Sequence, residues 1–336
     1  MTSGAASTFI CPACRSAVEE GDGGYRCVSC HHFYPILLGI PDFRLEGDRY
    51  LSLDEERAKA GRLHAFGQTH DFAALVTYYY SITDDVPDHL AATFTDYVLN
   101  APARSRAATD ALVGSEKAAS LLDLGCGSGG ALVAASEAFQ DRTGVDIALR
   151  WLVIARKRLE EVGSNVRLVC ADAEALPFVD GSFSHVLAVD LLENMRSPAA
   201  AIGAAAAVLK ESGRMYVSSS NCRWIGPHPA TGVWAAGLLP PMARSALLKR
   251  KHGIDILRAV SFVSPGSVRR MARVVGLRQI DAAPLDFDER QISHRSIVFK
   301  AVARTYSKLT RMPFVRSVLL GAGPMFWILF TKEKAT

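Results

Sequence analysis

The run LLDLGCGSGG, Leu121 to Gly130, constrains the fold of this chain more than any other stretch. Its apolar start is typical of a short buried strand, and its glycines permit a tight turn that brings the backbone close to a ligand before a helix begins. The helix-like run ALVAASEAF follows, and RTGVDI then predicts a second strand ending on Asp146. An acidic side chain about 20 residues after such a loop can accept both hydroxyls of a ribose. The pattern therefore predicts an α/β domain with a nucleoside site.

Three later stretches continue this pattern at regular spacing. They are VRLVCAD (166–172), ALPFVDGSFSHVLAVD (175–190) and LLENMRSPAAAIGAAAAVLKESGRMYVSS (191–219). Together with the loop Asp123-Leu-Gly-Cys-Gly-Ser-Gly, they resemble the successive motifs of class I S-adenosylmethionine-dependent methyltransferases. The resemblance is close from about Ser120 to Asn221 and looser to about Ala301.

The resemblance implies a seven-stranded Rossmann-like sheet with helices on both faces and an antiparallel last strand. It also implies S-adenosylmethionine as the cofactor, with the loop against its methionine part and acidic residues near its ribose and adenine. The first five strands are predicted at about 120–125, 142–146, 166–171, 185–190 and 214–219. The cofactor-binding residues implied in this way are Asp123, Gly125, Cys126, Gly127, Gly129, Asp146, Ile147, Asp172, Ala173 and Asp190.

Two CxxC motifs, Cys11-Pro-Ala-Cys14 and Cys27-Val-Ser-Cys30, lie near the start of the chain. Their spacing predicts a four-thiolate zinc ribbon, in preference to disulfides or a redox pair. His31 and His32 follow the second motif and are expected to face solvent or support the ligands. The runs FICPACRS and YRCVSCHHFYPILLGIPDF resemble bacterial relatives of a small zinc-ribbon protein that activates several methyltransferases. We expect a structural cap on the catalytic domain rather than direct substrate binding.

The sequence divides into four parts: the ribbon at 9–43, a helical segment at 45–119, the core at 120–301 and a tail at 302–336. A proline-rich insertion at 222–262 interrupts the core. RQIDAAPL predicts a sixth strand and SHRSIVFKAVA a seventh. The tail alternates basic and apolar residues before the run VLLGAGPMFWILF, whose prolines and arginine argue against a membrane span. A packed helix is the favoured interpretation of the tail, and a membrane-surface segment is the alternative.

The resemblance to class I methyltransferases implies that the helical segment closes over the cofactor and shapes the acceptor pocket. Ser52, with Glu55 three residues later, predicts a helix N-terminus. Pro87 and Pro102 are expected to break the later helices. The consecutive Tyr78–Tyr80 lie in this segment, and at helical spacing they cannot all face the pocket.

Methyl transfer is an in-line displacement, so the protein mainly aligns the acceptor and removes a proton where necessary. Asp190, at the end of the fourth strand, is a candidate to orient an acceptor hydroxyl, and His228 is a candidate base. His185 and His64 are weaker candidates, since a single histidine is more often structural. The sequence after the fourth strand, Asp-Leu-Leu-Glu-Asn, lacks the Asn/Asp-Pro-Pro-aromatic motif typical of nucleic-acid amino methyltransferases.

Charge is unevenly distributed: from Met242 onward, 18 Lys and Arg residues stand against 6 Asp and Glu. Such a basic region fits phosphate-bearing partners or an anionic membrane surface. The leading prediction is O-methylation of a small-molecule, glycan or lipid-linked acceptor, and the alternative is methylation of rRNA or tRNA. The first ten residues lack the pattern of a signal peptide, which favours the cytoplasm, with peripheral membrane contact through the tail.

Overall fold

The computed structural model describes residues 9–48, 50–83, 86, 88–113, 118–228, 231–253, 255, 260–286 and 297–334. A small antiparallel sheet at the N-terminus contains β1 (Val18–Gly21), β2 (Gly24–Cys27), β3 (Phe33–Leu37) and β4 (Ile40–Pro41). The strands of the second sheet are β5 (Ala118–Leu124), β6 (Phe139–Asp146), β7 (Arg167–Cys170), β8 (Phe183–Ala188), β9 (Leu209–Ser220), β10 (Leu277–Pro284) and β11 (Met325–Lys332).

The second sheet has the order β10-β11-β9-β8-β5-β6-β7. Its strands β5 to β9 pair in parallel, whereas β11 is antiparallel to both β9 and β10. The predicted fold class, a seven-stranded methyltransferase-like sheet plus a small N-terminal ribbon, is confirmed. The strand order reverses between β5 and β8, which places a ligand-binding crevice at the carboxyl ends of these strands.

The helices before the core are α1 (Leu53–Gly67), α2 (Phe72–Ser81), α3 (Asp88–Leu99) and α4 (Ala101–Val113). The later helices are α5 (Gly130–Ala134), α6 (Leu149–Glu161), α7 (Pro198–Val208), α8 (Pro241–His252), α9 (Pro265–Val274), α10 (Ile297–Leu309) and α11 (Pro313–Ala322). Ser52 and Glu55 form the predicted capping box of α1. The predicted helix break at Pro102 is confirmed: α3 ends at Leu99, α4 begins at Ala101, and Pro102 lies in the first turn of α4, where its missing N–H costs nothing. Pro87 lies outside the described residues.

The predicted seventh strand is wrong. The described part of SHRSIVFKAVA begins helix α10, and the seventh strand is Met325–Lys332, within the predicted tail. Phe326, Ile328 and Phe330 pack into one hydrophobic cluster, and Leu329 and Trp327 pack into another, so both faces of the strand are covered. Its sequence MFWILF is accordingly a continuous apolar run rather than an alternating one. The boundary between a core ending at 301 and a separate tail at 302–336 is therefore also wrong, because the tail completes the central sheet.

The ribbon packs against the outer edge of the central sheet at β7. Phe43 N–H donates to the Cys170 carbonyl at 2.7 Å, and Ile10 N–H donates to the Pro177 carbonyl at 3.0 Å. The rings of Phe9 and Phe178 add an aromatic contact with a centroid separation of 5.7 Å. An otherwise open strand edge is thereby covered. The ribbon's apolar residues belong to the same hydrophobic core as the sheet, as expected for a cap on the catalytic domain.

Candidate functional site

The loop after β5 is tied to the neighbouring strand by its own backbone. The N–H groups of Gly125 and Cys126 both donate to the Val145 carbonyl, at 2.8 and 3.0 Å. Gly125 has φ of 69° and Gly129 has φ of 75°, a region that favours glycine. A Cβ at Gly125 would also lie 2.6 Å from Leu191 Cδ1. The sequence therefore builds a loop whose backbone stays exposed to the crevice.

Asp146 ends β6 and holds the same loop from the other side. Its carboxylate accepts the Gly127 N–H at 2.9 Å and the Ala148 N–H at 2.9 Å, one on each oxygen. A carboxylate offers about four acceptor positions, so positions remain for a ligand. Burial raises the pKa of Asp146, and the two N–H bonds oppose that rise.

Two adjoining cavities open at this loop, and Gly125, Gly127, Trp151 and Asp190 line both of them. The first, of about 270 Å³, also contains Asp123 and Cys126. The second, of about 280 Å³, also contains the predicted residues Asp146, Ile147, Asp172 and Ala173. Gly129 lines neither cavity. It precedes α5, and a Cβ there would approach Ala155 Cβ to 3.3 Å, so its role is helix packing.

Asp123 is the most strongly perturbed acid of the first cavity. Its side chain is buried, and Oδ2 has no hydrogen-bond donor among the described residues. Burial, and then the charge of Asp146, raise the pKa of Asp123 to about 7. An unpaired buried carboxylate beside a cavity is costly unless a cationic donor binds there.

Arg104, on α4, is a first-cavity residue that sequence reasoning missed. Its guanidinium carbon lies 3.1 Å from the centroid of the Tyr97 ring, and Nη1 donates to the Tyr97 carbonyl at 2.7 Å. It forms no ion pair with a carboxylate in the part of the chain that the structure describes. Burial lowers its pKa. Because Arg104 lies on a helix outside the sheet, no motif in the strand–loop pattern could identify it.

The three consecutive tyrosines of α2 point in different directions, as helical spacing predicts. Tyr80 lines the first cavity. Tyr79 packs on Trp151 with ring centroids 4.6 Å apart, and Tyr78 stacks on Phe66 at 4.2 Å. Only Tyr80 of the three therefore lines either of the two cavities.

The segment after the ribbon reaches the cofactor crevice through buried ion pairs. Arg44 pairs with Asp42 at 2.7 Å and donates to the Ile147 carbonyl at 3.2 Å. Arg150, at the start of α6, pairs with Asp48 at 2.7 Å and also contacts Glu56. These contacts fasten the chain between the ribbon and α1 to residues beside the second cavity.

Asp190 lies where the two cavities meet. Its φ is 52°, an uncommon backbone conformation that directs the chain sharply after β8. Its Oδ1 accepts the Ser218 hydroxyl at 3.0 Å, and burial raises its pKa. Glu193, one turn later, accepts the Ser219 hydroxyl, and burial together with the charge of Asp190 raises its pKa to about 7.

The three candidate histidines lie outside both cavities. His228 lines neither cavity, its ring approaches Phe262 edge-on at 6.5 Å, and burial lowers its pKa to about 4. His185, at the start of β8, contacts the ring of Phe139, and burial lowers its pKa to about 4. His64 contacts Arg156 on α6. None of the three is brought to the crevice.

The four N-terminal cysteines come together in the ribbon. The sulfurs of Cys11, Cys14, Cys27 and Cys30 all lie within 4.8 Å of one another. The Cys11–Cys30 and Cys14–Cys27 sulfur pairs are 3.6 and 3.4 Å apart. A tetrahedral site with metal–sulfur bonds of about 2.3 Å requires sulfurs about 3.8 Å apart. The backbone N–H groups of Ser29 and Cys30 donate to Cys27 Sγ, so the cluster fits a tetrahedral metal ion.

Comparison with known proteins identifies the family. The family described as a methyltransferase domain matches residues 122–217. The chain is 34% identical over 114 residues to the ubiquinone biosynthesis O-methyltransferase of Idiomarina loihiensis, which covers 34% of this chain and 45% of that protein. It is 31% identical over 169 residues to the protein of the same name from Aromatoleum aromaticum, covering 50% of this chain and 68% of that protein. The chain spans about half the length of the first curated relatives it matches.

Solved structures with a similar fold include an S-adenosylmethionine-dependent methyltransferase from Mesorhizobium loti, with a TM-score of 0.47 and 17% identity over 67% of this chain and 96% of that one. A methyltransferase of Haloferax volcanii, solved with the Trm112 activator, has a TM-score of 0.46 and 18% identity over 74% of this chain and 97% of the other.

The sheet order, the loop and acidic residues of the crevice, and the family match all agree. The chain belongs to the class I S-adenosylmethionine-dependent methyltransferases.

Proposed function

We propose that this methyltransferase transfers its methyl group to the oxygen of a small-molecule or lipid-linked hydroxyl compound. The observation that carries the proposal is Asp190, a half-buried residue whose carboxylate lies at the junction of the two cavities. The curated relatives are O-methyltransferases by name, which supports oxygen as the methylated atom. The nucleic-acid amino-methyltransferase motif is also missing after β8.

The cofactor is assigned to both cavities. Asp146 would accept the ribose hydroxyls and Asp172 would lie near the adenine, in the second cavity. Asp123 would accept the ammonium of the methionine part, and Arg104 would donate to its carboxylate, in the first cavity. Among the described residues, Asp123 Oδ2 has no hydrogen-bond donor and Arg104 has no carboxylate partner, so the two side chains are complementary to the ammonium and the carboxylate of the ligand. S-adenosylmethionine supplies a methyl group that is already activated on a sulfonium.

Asp190 is proposed to orient the acceptor hydroxyl and to take its proton as the new bond forms. Burial raises the pKa of Asp190, and burial together with the charge of Asp190 raises the pKa of Glu193 to about 7, which brings both values closer to neutral pH. The Ser218 hydroxyl donates to Oδ1 of Asp190, and a hydrogen bond with the Tyr97 side chain also holds this carboxylate at the first cavity, which Tyr97 lines as well.

The four cysteines are proposed to bind one zinc ion with a structural role. Four thiolates leave no open coordination position for catalysis. A ribbon with so little core of its own gains its folding free energy from the metal.

The alternative acceptor is RNA, favoured by the excess of positive charge after Met242. RNA held through several phosphates would lose affinity steeply as salt rises, whereas a small or lipid-linked acceptor would not.

Affinity for S-adenosylhomocysteine is expected to rise as pH increases through about 7. The raised pKa of Asp123 keeps its carboxyl partly protonated below that pH, and only the ionised form attracts the ligand ammonium. Calorimetry at several pH values, in buffers of different ionisation enthalpy, measures both the affinity and the released proton. Asp123→Asn should flatten the profile, whereas Asp141→Asn, an exposed site on β6, should preserve it. A flat profile in the unmodified protein would contradict this assignment.

Arg104→Ala is expected to weaken S-adenosylhomocysteine binding by about 1.5–3 kcal/mol, the usual range for a hydrogen bond to a charged group. Arg106→Ala is the matched control, because Arg106 lies on the same helix but is exposed and contacts Glu137 at 3.5 Å. Calorimetry of both variants tests the assignment, and equal affinities would refute it.

Cys27→Ser is expected to abolish zinc binding and to make the ribbon sensitive to protease, while the central sheet stays folded. Metal analysis of protein purified without oxygen should give one zinc ion per unmodified chain. Cys222→Ser should retain the metal, since Cys222 lies outside the cluster. Unmodified protein that contains no zinc, and whose ribbon resists protease, would exclude the metal.

Labelled methyl transfer to fractionated cell extract is expected to mark the lipid or polar small-molecule pool. The RNA pool is scored in parallel, at low and high salt. The Asp190→Asn variant, if it still binds S-adenosylhomocysteine, should transfer much less label, because no carboxylate at this position takes the proton from the substrate hydroxyl. Label confined to RNA would overturn the proposed acceptor class.

A further inference from the structure

The segment between β10 and β11 leaves and rejoins the sheet at its catalytic edge. Because β11 is antiparallel to β9 and β10, β10 ends where β9 ends, and β11 begins there. The Asn221 N–H, directly after β9, donates to the Pro324 carbonyl at 2.9 Å. Helices α10 and α11 therefore belong to an insertion at the edge that carries the glycine loop and Asp190.

These two helices expose large apolar side chains. Phe314 is 81% exposed and Val318 is 50% exposed, and their spacing of four residues places them on one face of α11. Met312, in the turn before α11, is 54% exposed, and Leu309, at the end of α10, is 41% exposed. No residue of α11 is buried. Neighbouring apolar side chains exposed to this degree mark an interaction surface.

All the charged residues of these two helices are basic. Between 297 and 322 the sequence contains no Asp or Glu, and its basic residues are Lys300, Arg304, Lys308, Arg311 and Arg316. Arg316 pairs with Asp281 of β10. Lys308 and Arg311 flank the exposed turn and form no ion pair with any residue that the structure describes.

We propose that this basic–apolar surface, formed by Lys308 to Val318, binds the surface of an anionic lipid bilayer. Apolar side chains bounded by lysine and arginine fit the boundary between acyl chains and negatively charged headgroups. A second copy of this chain is a poor occupant, because it would bring an equal set of positive charges to the contact. α11 is about 15 Å long, enough to lie along the interface.

The surface adsorbs to the bilayer and does not cross it. Among the described residues, no helix is long and apolar enough to span a membrane. Binding by this face would bring the catalytic edge of the sheet close to the headgroups, where a lipid-linked hydroxyl is accessible. Vesicle binding itself does not depend on the proposed acceptor, so the two proposals can fail separately.

The test is co-sedimentation of the full, zinc-loaded chain with vesicles of phosphatidylcholine alone or mixed with phosphatidylglycerol. The protein is expected to pellet with the mixed vesicles only, and less at high salt, because screening weakens contacts with the headgroups. Phe314→Ser/Val318→Ser and Lys308→Glu/Arg311→Glu should each reduce the bound fraction, with a fall in affinity of roughly tenfold or more for the charge reversals.

Matched controls are Val162→Ser at the end of α6 and Arg62→Glu on α1, both exposed sites outside the surface. These variants should bind like the unmodified chain, and all variants should retain affinity for S-adenosylhomocysteine if folded. Equal vesicle binding by all variants, or none by the unmodified chain, would overturn the proposal. A third result would also overturn it: the unmodified protein does not bind vesicles but forms a dimer in sedimentation velocity, and Phe314→Ser/Val318→Ser dissociates that dimer.

Discussion

The carboxylate of Asp146 is the interaction on which the cofactor crevice depends. It joins the end of β6 to the glycine loop through Gly127 and to the start of α6 through Ala148. The loop is held against β6 by backbone bonds as well, and the Asp146 side chain contacts both flanks of the crevice. The group that shapes the loop is therefore also the one expected to receive the ribose, so the protein's own hydrogen bonds orient it for that role.

A second set of hydrogen bonds and ion pairs joins the ribbon to the residues around Asp146. Phe43 continues the hydrogen bonding of β7, and Arg44 reaches the carbonyl of Ile147, next to Asp146. Arg44 is 6% exposed and paired with Asp42, so its position is set by a buried ion pair rather than by solvent. Buried pairs of this kind are strongly destabilising to break. The ribbon and the wall of the second cavity at Ile147 are thus joined through a buried ion pair.

Sequence could predict the parts of the site that lie on the parallel strands. Asp123 is the second-last residue of β5, Asp146 ends β6 and Asp172 follows β7 by two residues, and the carboxyl ends of such strands meet at one edge. Arg104 could not be predicted from the sequence, because it lies on a helix whose docking depends on tertiary packing. The seventh strand was misplaced for a different reason. SHRSIVFKAVA contains the run IVF, which is typical of a strand, yet its described part begins helix α10, whereas the true strand MFWILF is apolar throughout and shows no alternation.

The electrostatics of the crevice explain why its ligand should be a cation. Asp123, Asp146 and Asp190 all have raised pKa values because they are buried, and Glu193 adds a fourth carboxyl nearby. In the first cavity Arg104 is the cation that faces Asp123 and Asp190, so ionisation of both carboxyls leaves an excess of negative charge there. A sulfonium offsets that excess, and methyl transfer removes the sulfonium charge. The proton taken up by a carboxyl during transfer to a hydroxyl would restore the balance, so the crevice favours reaction and then loses part of its attraction for the product.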